Sequence, residues 1–233
     1  MSGAREDILA GVRAALGKPR DDGMRQAAVD QRIARHARNL VPRRAELDRA
    51  GQLRLFVEMA EKAAATVARV AGMKDVPAAV ADFLAAQNLP ARLRLASDPA
   101  LEGLPWSERP LIKLESGPAQ ASDSASLTPA FAGIAETGTL MLVSGAERPT
   151  TLNFLPDNHL VVLREDQLVG PFEEAWDRLR AALSGGDLPR TVNLVTGPSR
   201  SADIEQQLHM GAHGPRRLHI ILVAQGGDGE GQG

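Results

Sequence analysis

Residues 130–143 read AFAGIAETGTLMLV, and the interpretation of the whole chain turns on this stretch. A turn of small residues carrying Glu136, Thr137, Gly138 and Thr139 runs directly into Leu140, Met141, Leu142 and Val143. An unbroken run of bulky apolar residues bounded by turn residues is how a strand buried on both faces reads, as in the centre of a parallel sheet. The turn is therefore pinned to a core. Gly133 and Gly138 allow backbone conformations closed to other residues, and they let a ligand or another segment approach closely. Glu136 and the threonines add an acceptor and hydroxyls at the same place. Two readings are open: a binding turn, or a tight turn whose Glu and Thr cap their own backbone.

On its N-terminal side, LRLFVEMAEKAA (53–64) combines good helix formers with a one-sided apolar pattern, and β-branched residues follow at Thr66–Val70. Asp75 and Pro77 open a second helix over 76–87, Asn88–Pro90 stops it, and Arg92–Leu95 reads as a short strand. Leu111–Leu114 is a weaker strand, and Ser116–Ser126 is a loop of small polar residues. On the C-terminal side, SGAERPTTLN (144–153) is a loop beyond the carboxyl end of the expected central strand, where open parallel sheets hold their ligands. Leu160–Leu163 and Thr191–Val195 are further strands, with a short extended piece at Val169. Between them, Phe172, Trp176, Leu179 and Leu183 line one face of a helix over 173–183 that ends at Gly185–Gly186. Gly197–Pro198 is a turn, a helix is expected from Ser199 or Ser201 to Met210, and Leu218–Val223 is the last strand. This alternation predicts an α/β fold.

At the N-terminus, Ile8, Leu9, Val12 and Leu16 recur at three- and four-residue steps before Gly17, which marks an amphipathic helix, and 26–38 is a polar linker, flexible or partly helical. The expected division is an arm and linker over 1–50, a domain over 51–224 and a disordered tail over 225–233. The arm holds eleven basic against seven acidic residues, net +4, and the remainder is net -6. A solvated basic face and an arm that docks on an acidic surface both fit.

Composition narrows the function classes. With 43% hydrophobic and 24% charged residues, the 233-residue chain has an ordinary globular balance, and a net charge of -2 gives no electrostatic reason to expect nucleic acid. Cysteine is absent, which removes disulfides, a thiolate nucleophile and cysteine-ligated zinc or iron–sulfur clusters within these residues. No continuous hydrophobic segment suggests a leader or a membrane span, so the cytoplasm is the default expectation. The stretch from Val195 to Glu205 repeats the order strand, small-residue turn, charge. The N–H groups of a helix start there, with Ser199, Arg200 and Ser201, would suit a phosphate or carboxylate, or would simply be an ordinary cap. Neither a dinucleotide fingerprint nor a Walker A loop is present. His209, His213 and His219 fall close together, but Gly211 interrupts any shared helical face, so no metal is predicted. His213 reads as a turn residue, either an acid–base or anion-binding group or a surface histidine.

GIAETGTLML (133–142), LPDNHLVVL (155–163) and GPSRSADIEQQLHMGAHGP (197–215) resemble the lactate-utilisation protein C family (LutC or YkgG), whose shared unit is the LUD domain. REDILAGVRAALG (5–17) and Trp106 after a DPAL segment fit it too, and Ser201 stands where the family carries Thr. The resemblance implies a three-layer α/β/α sandwich of the NagB/RpiA/CoA-transferase-like kind. It also implies a part in oxidising L-lactate to pyruvate, as an accessory subunit without cofactor that works with LutA-like and LutB-like iron–sulfur partners. It assigns no catalytic residue. Turn chemistry supplies the expected site: Glu136 and His213 as catalytic groups, with Thr137, Gly138, Thr139, Ser199, Arg200 and Ser201 binding substrate across one cleft. Arg200 would take a small carboxylate such as lactate's through two parallel hydrogen bonds. A stand-alone enzyme on a phosphosugar or CoA ester, and a metabolite-sensing interaction module, are the alternatives.

Overall fold

The structure is a computed structural model, and it describes residues 3–17, 22–183, 187–204 and 207–225. The chain divides after Leu40. The first unit contains helices α1 (Gly3–Leu16) and α2 (Asp22–Arg35). Ile8, Leu9, Val12 and Leu16 all remain exposed on α1, and α2 covers most of the segment expected as a linker. The second unit begins at Val41, ten residues before the expected boundary. Contacts explain the difference: Ala45 is buried, a side chain at Gly170 would come within 2.5 Å of its carbonyl oxygen, and Arg49 Nη1 donates to Leu168 O at 2.6 Å.

The second unit runs α3 (Arg49–Lys62), β1 (Thr66–Val70), α4 (Val76–Ala86), β2 (Arg92–Leu95), α5 (Pro99–Glu102), β3 (Lys113–Ser116), β4 (Ala125–Pro129), β5 (Ala132–Ile134) and β6 (Thr139–Val143). It continues with α6 (Thr151–Phe154), β7 (Asn158–Arg164), β8 (Leu168–Val169), α7 (Phe172–Leu183), β9 (Val192–Val195), β10 (Arg200–Ile204), β11 (Gln207–Met210) and β12 (Arg217–Val223). The main sheet is parallel throughout, in the order β1-β12-β7-β4-β2-β3. Its central strands are buried on both faces, which is why LVVL and LHIILV carry no polar alternation. On one face Leu95, Leu127, Leu160 and Ile221 pack with Val80 and Leu84 of α4. On the other, Val161, Leu163, Ile220 and Leu222 pack with Phe56 and Ala60 of α3 and with Leu140 and Leu142 of β6. The expected α/β/α layering is therefore present, with a second sheet in one outer layer.

Two expectations are corrected. The run Leu140–Val143 is a buried strand, as its composition requires, but it does not lie in the parallel sheet. It belongs to a four-stranded sheet of order β8-β5-β6-β9, antiparallel to both neighbours. Its faces are covered by the main sheet on one side and by Ala175 and Leu179 of α7 on the other. A strand buried by two different layers has the same composition as one inside a parallel sheet. The second correction concerns 199–210, which is not a helix. β10 and β11 form an antiparallel hairpin, with Arg200 opposite Met210 and Ile204 opposite Gln207. Its base is closed by Gly211 N–H donating to Ser199 O at 2.9 Å and Ser199 N–H donating to Pro215 O at 2.8 Å. Gly197 and Gly211, at φ +78° and +82°, take the left-handed backbone that lets the chain enter and leave it. The expected tail, apart from Gln225, lies outside the described residues.

Candidate functional site

The turn after β5 is held by the protein on every side. Ala135 N–H donates to Val169 O at 2.9 Å, Glu136 N–H donates to Gly170 O at 3.0 Å, and Glu136 Oε2 accepts from Phe172 N–H at 3.2 Å, at the start of α7. Gly138 has φ +66° and lies flat against α3, where a side chain would come within 2.3 Å of Ala60 N. Thr137 and Thr139 share a hydroxyl contact of 2.6 Å, and Thr139 shares another of 2.6 Å with Thr196. Pairing of Leu140 with Val195 brings those hydroxyls into line, so the two stretches singled out in the sequence are neighbours.

Beyond Thr196, Ser199 and His213 also meet: the His213 N–H donates to Ser199 Oγ at 3.1 Å. Their side of the domain is the foot of the β10–β11 hairpin. Arg200 is exposed at the start of β10, and Ser201 stands opposite His209 in the ladder. Because no helix begins there, the free N–H groups expected to receive an anion are absent from that turn. His219 is far from this foot in role as well as register: it is buried on β12, stacked on Phe83 at 4.5 Å, with Nδ1 2.7 Å from Thr66 Oγ1. Burial lowers its pKa to about 4 and that of His159, which contacts Thr128 Oγ1 at 2.8 Å, to about 3. Both are neutral core groups at ordinary pH.

The chemistry concentrates elsewhere, at the carboxyl ends of the parallel strands. From β2 the chain moves outward to β3, whereas from β4 it moves the opposite way through β7 to β12. The ends of β2 and β4 therefore flank the point where winding reverses, the usual place for a ligand in an open α/β sheet. A cavity of about 390 Å³ opens there. Its lining carries three guanidinium groups, Arg148, Arg164 and Arg178, against the single carboxylate of Asp98.

Each of these cations is oriented. Asp98 follows β2 and is buried; its Oδ1 caps α5 through Ala100 N–H at 3.0 Å, while its Oδ2 accepts from Arg148 Nε at 2.8 Å. On the other side of the cavity Arg164 pairs with Asp166, and Arg178 Nη2 donates to the Asp166 carbonyl at 3.0 Å. Gln167 Nε2 donates to Ala130 O at 3.0 Å and fixes the wall between them. Leu101, Ala130, Phe131 and Val162 supply an apolar floor. Guanidinium forks match carboxylate and phosphate oxygens; here Arg148 and Arg164 already hold the carboxylates of Asp98 and Asp166, while Arg178 is held by a carbonyl.

Of the charged groups, Arg148 lies in the 144–153 loop beyond the expected central strand, and the apolar floor draws Ala130 and Phe131 from the opening stretch. Asp98 stands in the DPAL segment, and Arg164, Gln167 and Arg178 resemble any surface residues of a strand end, a turn and a helix. Among the described residues, no group of three or more His, Cys, Asp or Glu could hold a metal ion, and no helix is long and apolar enough to cross a membrane.

Comparison with known proteins gives this architecture a family. The family model of the LUD domain matches residues 53–223. A protein of Neisseria meningitidis serogroup B, described as uncharacterised, is 41% identical over 91 residues, covering 39% of this chain and 38% of that one. The lactate utilization protein C of Bacillus subtilis strain 168 is 35% identical over 92 residues, covering 39% and 38%. That of Geobacillus sp. strain WCH70 is 36% identical over 91 residues, with the same coverage of 39% and 38%. The chain thus spans about two fifths of the length of these relatives. Among solved structures, a DUF162 family protein from Deinococcus radiodurans superposes with a TM-score of 0.57 at 25% identity, over 76% of this chain and 99% of that one. With the model covering nearly the whole second unit, this chain belongs to the LUD domain family.

Proposed function

We propose that this protein serves lactate utilisation as a cytoplasmic, non-redox component that binds an organic acid in the arginine-lined crevice. The observation that carries the reading is the set of three oriented guanidinium groups at the winding reversal of a LUD domain. Relatives named lactate utilization protein C supply the physiological context. Without cysteine, the chain has no thiolate to hold a cluster, so electron transfer belongs to LutA-like and LutB-like iron–sulfur partners. The cavity lining favours binding over covalent chemistry: Asp98 is its one carboxylate, and both of its oxygens already accept hydrogen bonds.

In this reading the turn at Glu136, Thr137, Gly138 and Thr139 fastens α3, α7 and the second sheet together, and Ser199 with His213 closes the hairpin foot. Arg200 and Ser201 begin the hairpin, and the exposed Arg200 is offered to a partner. The test is complementation. A strain lacking the gene is supplied with the wild type, Arg178→Gln or Arg200→Ala, and growth on L-lactate is measured alongside recovery of cysteine-rich iron–sulfur proteins with the tagged chain. Loss of growth in Arg178→Gln with the partners still recovered supports the crevice. Normal growth of a folded Arg178→Gln refutes it, and growth lost in Arg200→Ala together with partner recovery locates the docking surface.

A further inference from the structure

The face of the main sheet that packs against α4 is incompletely covered at its edge. β1 is the last strand of the order, and it turns Thr66, Ala68 and Val70 toward α4. The stripe of α4 that faces them is Ala79, Asp82 and Ala86, spaced by three and four residues. Alanines on both layers are too short to close the gap, and a groove of about 600 Å³ remains, within the size range of a small-molecule site. His219 of β12 lines it. This residue is 8% exposed, its ring is stacked on Phe83, and Nδ1 stands 2.7 Å from Thr66 Oγ1. Leu218 O, the alternative acceptor for that hydroxyl, lies at 3.5 Å, so Thr66 donates to Nδ1 and the neutral ring carries its proton on Nε2. Nε2 has no hydrogen-bond partner among the described residues. Three charged groups also line the groove. Arg69 is taken by Glu165 at 3.0 Å, and Asp75 Oδ2 accepts from Gly72 N–H at 3.1 Å. Asp82 has no hydrogen bond or ion pair among the described residues.

We propose that this groove is a second ligand site, for an organic monocation with an apolar body and a hydrogen-bond acceptor: its ammonium at Asp82, its acceptor at His219 Nε2, and its body over Ala68 and Ala79 between the sheet and α4. The charged groups decide the sign of the ligand. With Arg69 paired to Glu165, Asp82 is the group open to a partner, and it attracts a cation and repels an anion. The imidazole decides the acceptor, because an enclosed N–H without a protein partner favours a ligand that brings an oxygen to it over one that does not. The small side chains decide the body, since the apolar surface they leave open is covered by whatever fills the groove. The site is separate from the arginine crevice: no residue lines both.

Calorimetric titration of the full chain at neutral pH tests this with two matched sets of probes: tyramine, phenethylamine and hydrocinnamate, and aminohexanol, hexylamine and hexanoate. The hydroxylated amines should bind best, each amine without the hydroxyl about fivefold more weakly for want of one hydrogen bond, and the acids more weakly still. Asp82→Asn should weaken the amines by up to about fivefold, the worth of an exposed ion pair, without weakening the acids. His219→Phe keeps a ring against Phe83 and should erase the advantage of the hydroxyl. Should that variant fail to fold, the His219 ring resonances of the wild type, followed by NMR, should shift further with tyramine than with phenethylamine. Acids binding as well as amines, or amine affinity unchanged in Asp82→Asn, overturns the cation site. Equal affinity with and without the hydroxyl, or an advantage that survives His219→Phe, overturns the acceptor at His219. Absence of binding by every amine overturns the proposal as a whole.

Discussion

Replacing Gly138 with alanine separates a binding turn from a fastening turn. The residue sits at φ +66°, a left-handed conformation that costs a side chain with a Cβ about 1–2 kcal/mol. The new methyl would also stand 2.3 Å from Ala60 N, 2.5 Å from Met59 C and 2.8 Å from Ala60 Cα, all backbone of α3 that cannot rotate away. Relieving such an overlap requires the turn and the helix to part, at about 1–3 kcal/mol. Together the two effects amount to roughly 2–5 kcal/mol, and at about 2–4 °C per kcal/mol for a domain of this size the melting temperature should fall by on the order of 10 °C. Gly145→Ala is the control, since nothing lies within 4 Å of its added methyl. Thermal melts followed by circular dichroism at neutral pH compare the three proteins. A Gly138→Ala protein that melts within about 2 °C of the wild type would refute the packing argument, because neither the backbone penalty nor the overlap could then be present.

Acidification gives an independent prediction. Burial holds His159 at about 3 and His219 at about 4, below the 6.5 of an exposed imidazole. As pH falls below about 6.5 the unfolded chain takes up protons that the folded protein refuses, so stability is complete above that pH. Below it, stability declines by about 1.4 kcal/mol per pH unit for each histidine, down to its folded value. Urea midpoints measured between about pH 7 and pH 5 should fall accordingly, and His219→Gln should remove part of the slope; a flat profile would refute it. Arg94, itself buried, bonds Asp123 through Nε at 2.8 Å and Glu115 through Nη2 at 2.8 Å. Arg94→Ala leaves the half-buried Asp123 carboxylate with the Gln120 N–H but without its cation and should cost about 1–3 kcal/mol in urea unfolding, and a loss under about 0.5 kcal/mol would show the pair to be dispensable. Arg200→Ala, exposed at the hairpin foot, should leave L-lactate affinity in calorimetric titration within about twofold of the wild type, whereas Arg178→Gln should weaken it. A larger loss would return the carboxylate site to Arg200.

What the sequence determined by itself was set by local rules. The periodicity of 53–64, 76–87 and 173–183 specified α3, α4 and α7, and the apolar runs at 160–163 and 220–223 specified buried strands, because each pattern suits one backbone period. The motifs at 133–142, 155–163 and 197–215 were enough to indicate the LUD family, and with it the layered α/β fold. The short strands Ala125–Pro129 and Ala132–Ile134 are not legible in the sequence because small and hydroxyl residues carry little strand signal. The 199–210 segment departs from the expected helix because Ser and Asp before a polar run cap a helix and open a hairpin equally well; pairing between residues ten apart, closed at Ser199 and Gly211, decides it. Which sheet took the Leu140–Val143 run depended on what covered each face, a property of packing that no single strand encodes. The arginine crevice depended on tertiary structure most of all. Asp98, Arg148, Arg164 and Arg178 come from four separate segments, and only the reversal of winding between β2 and β4 brings those charges around one cavity.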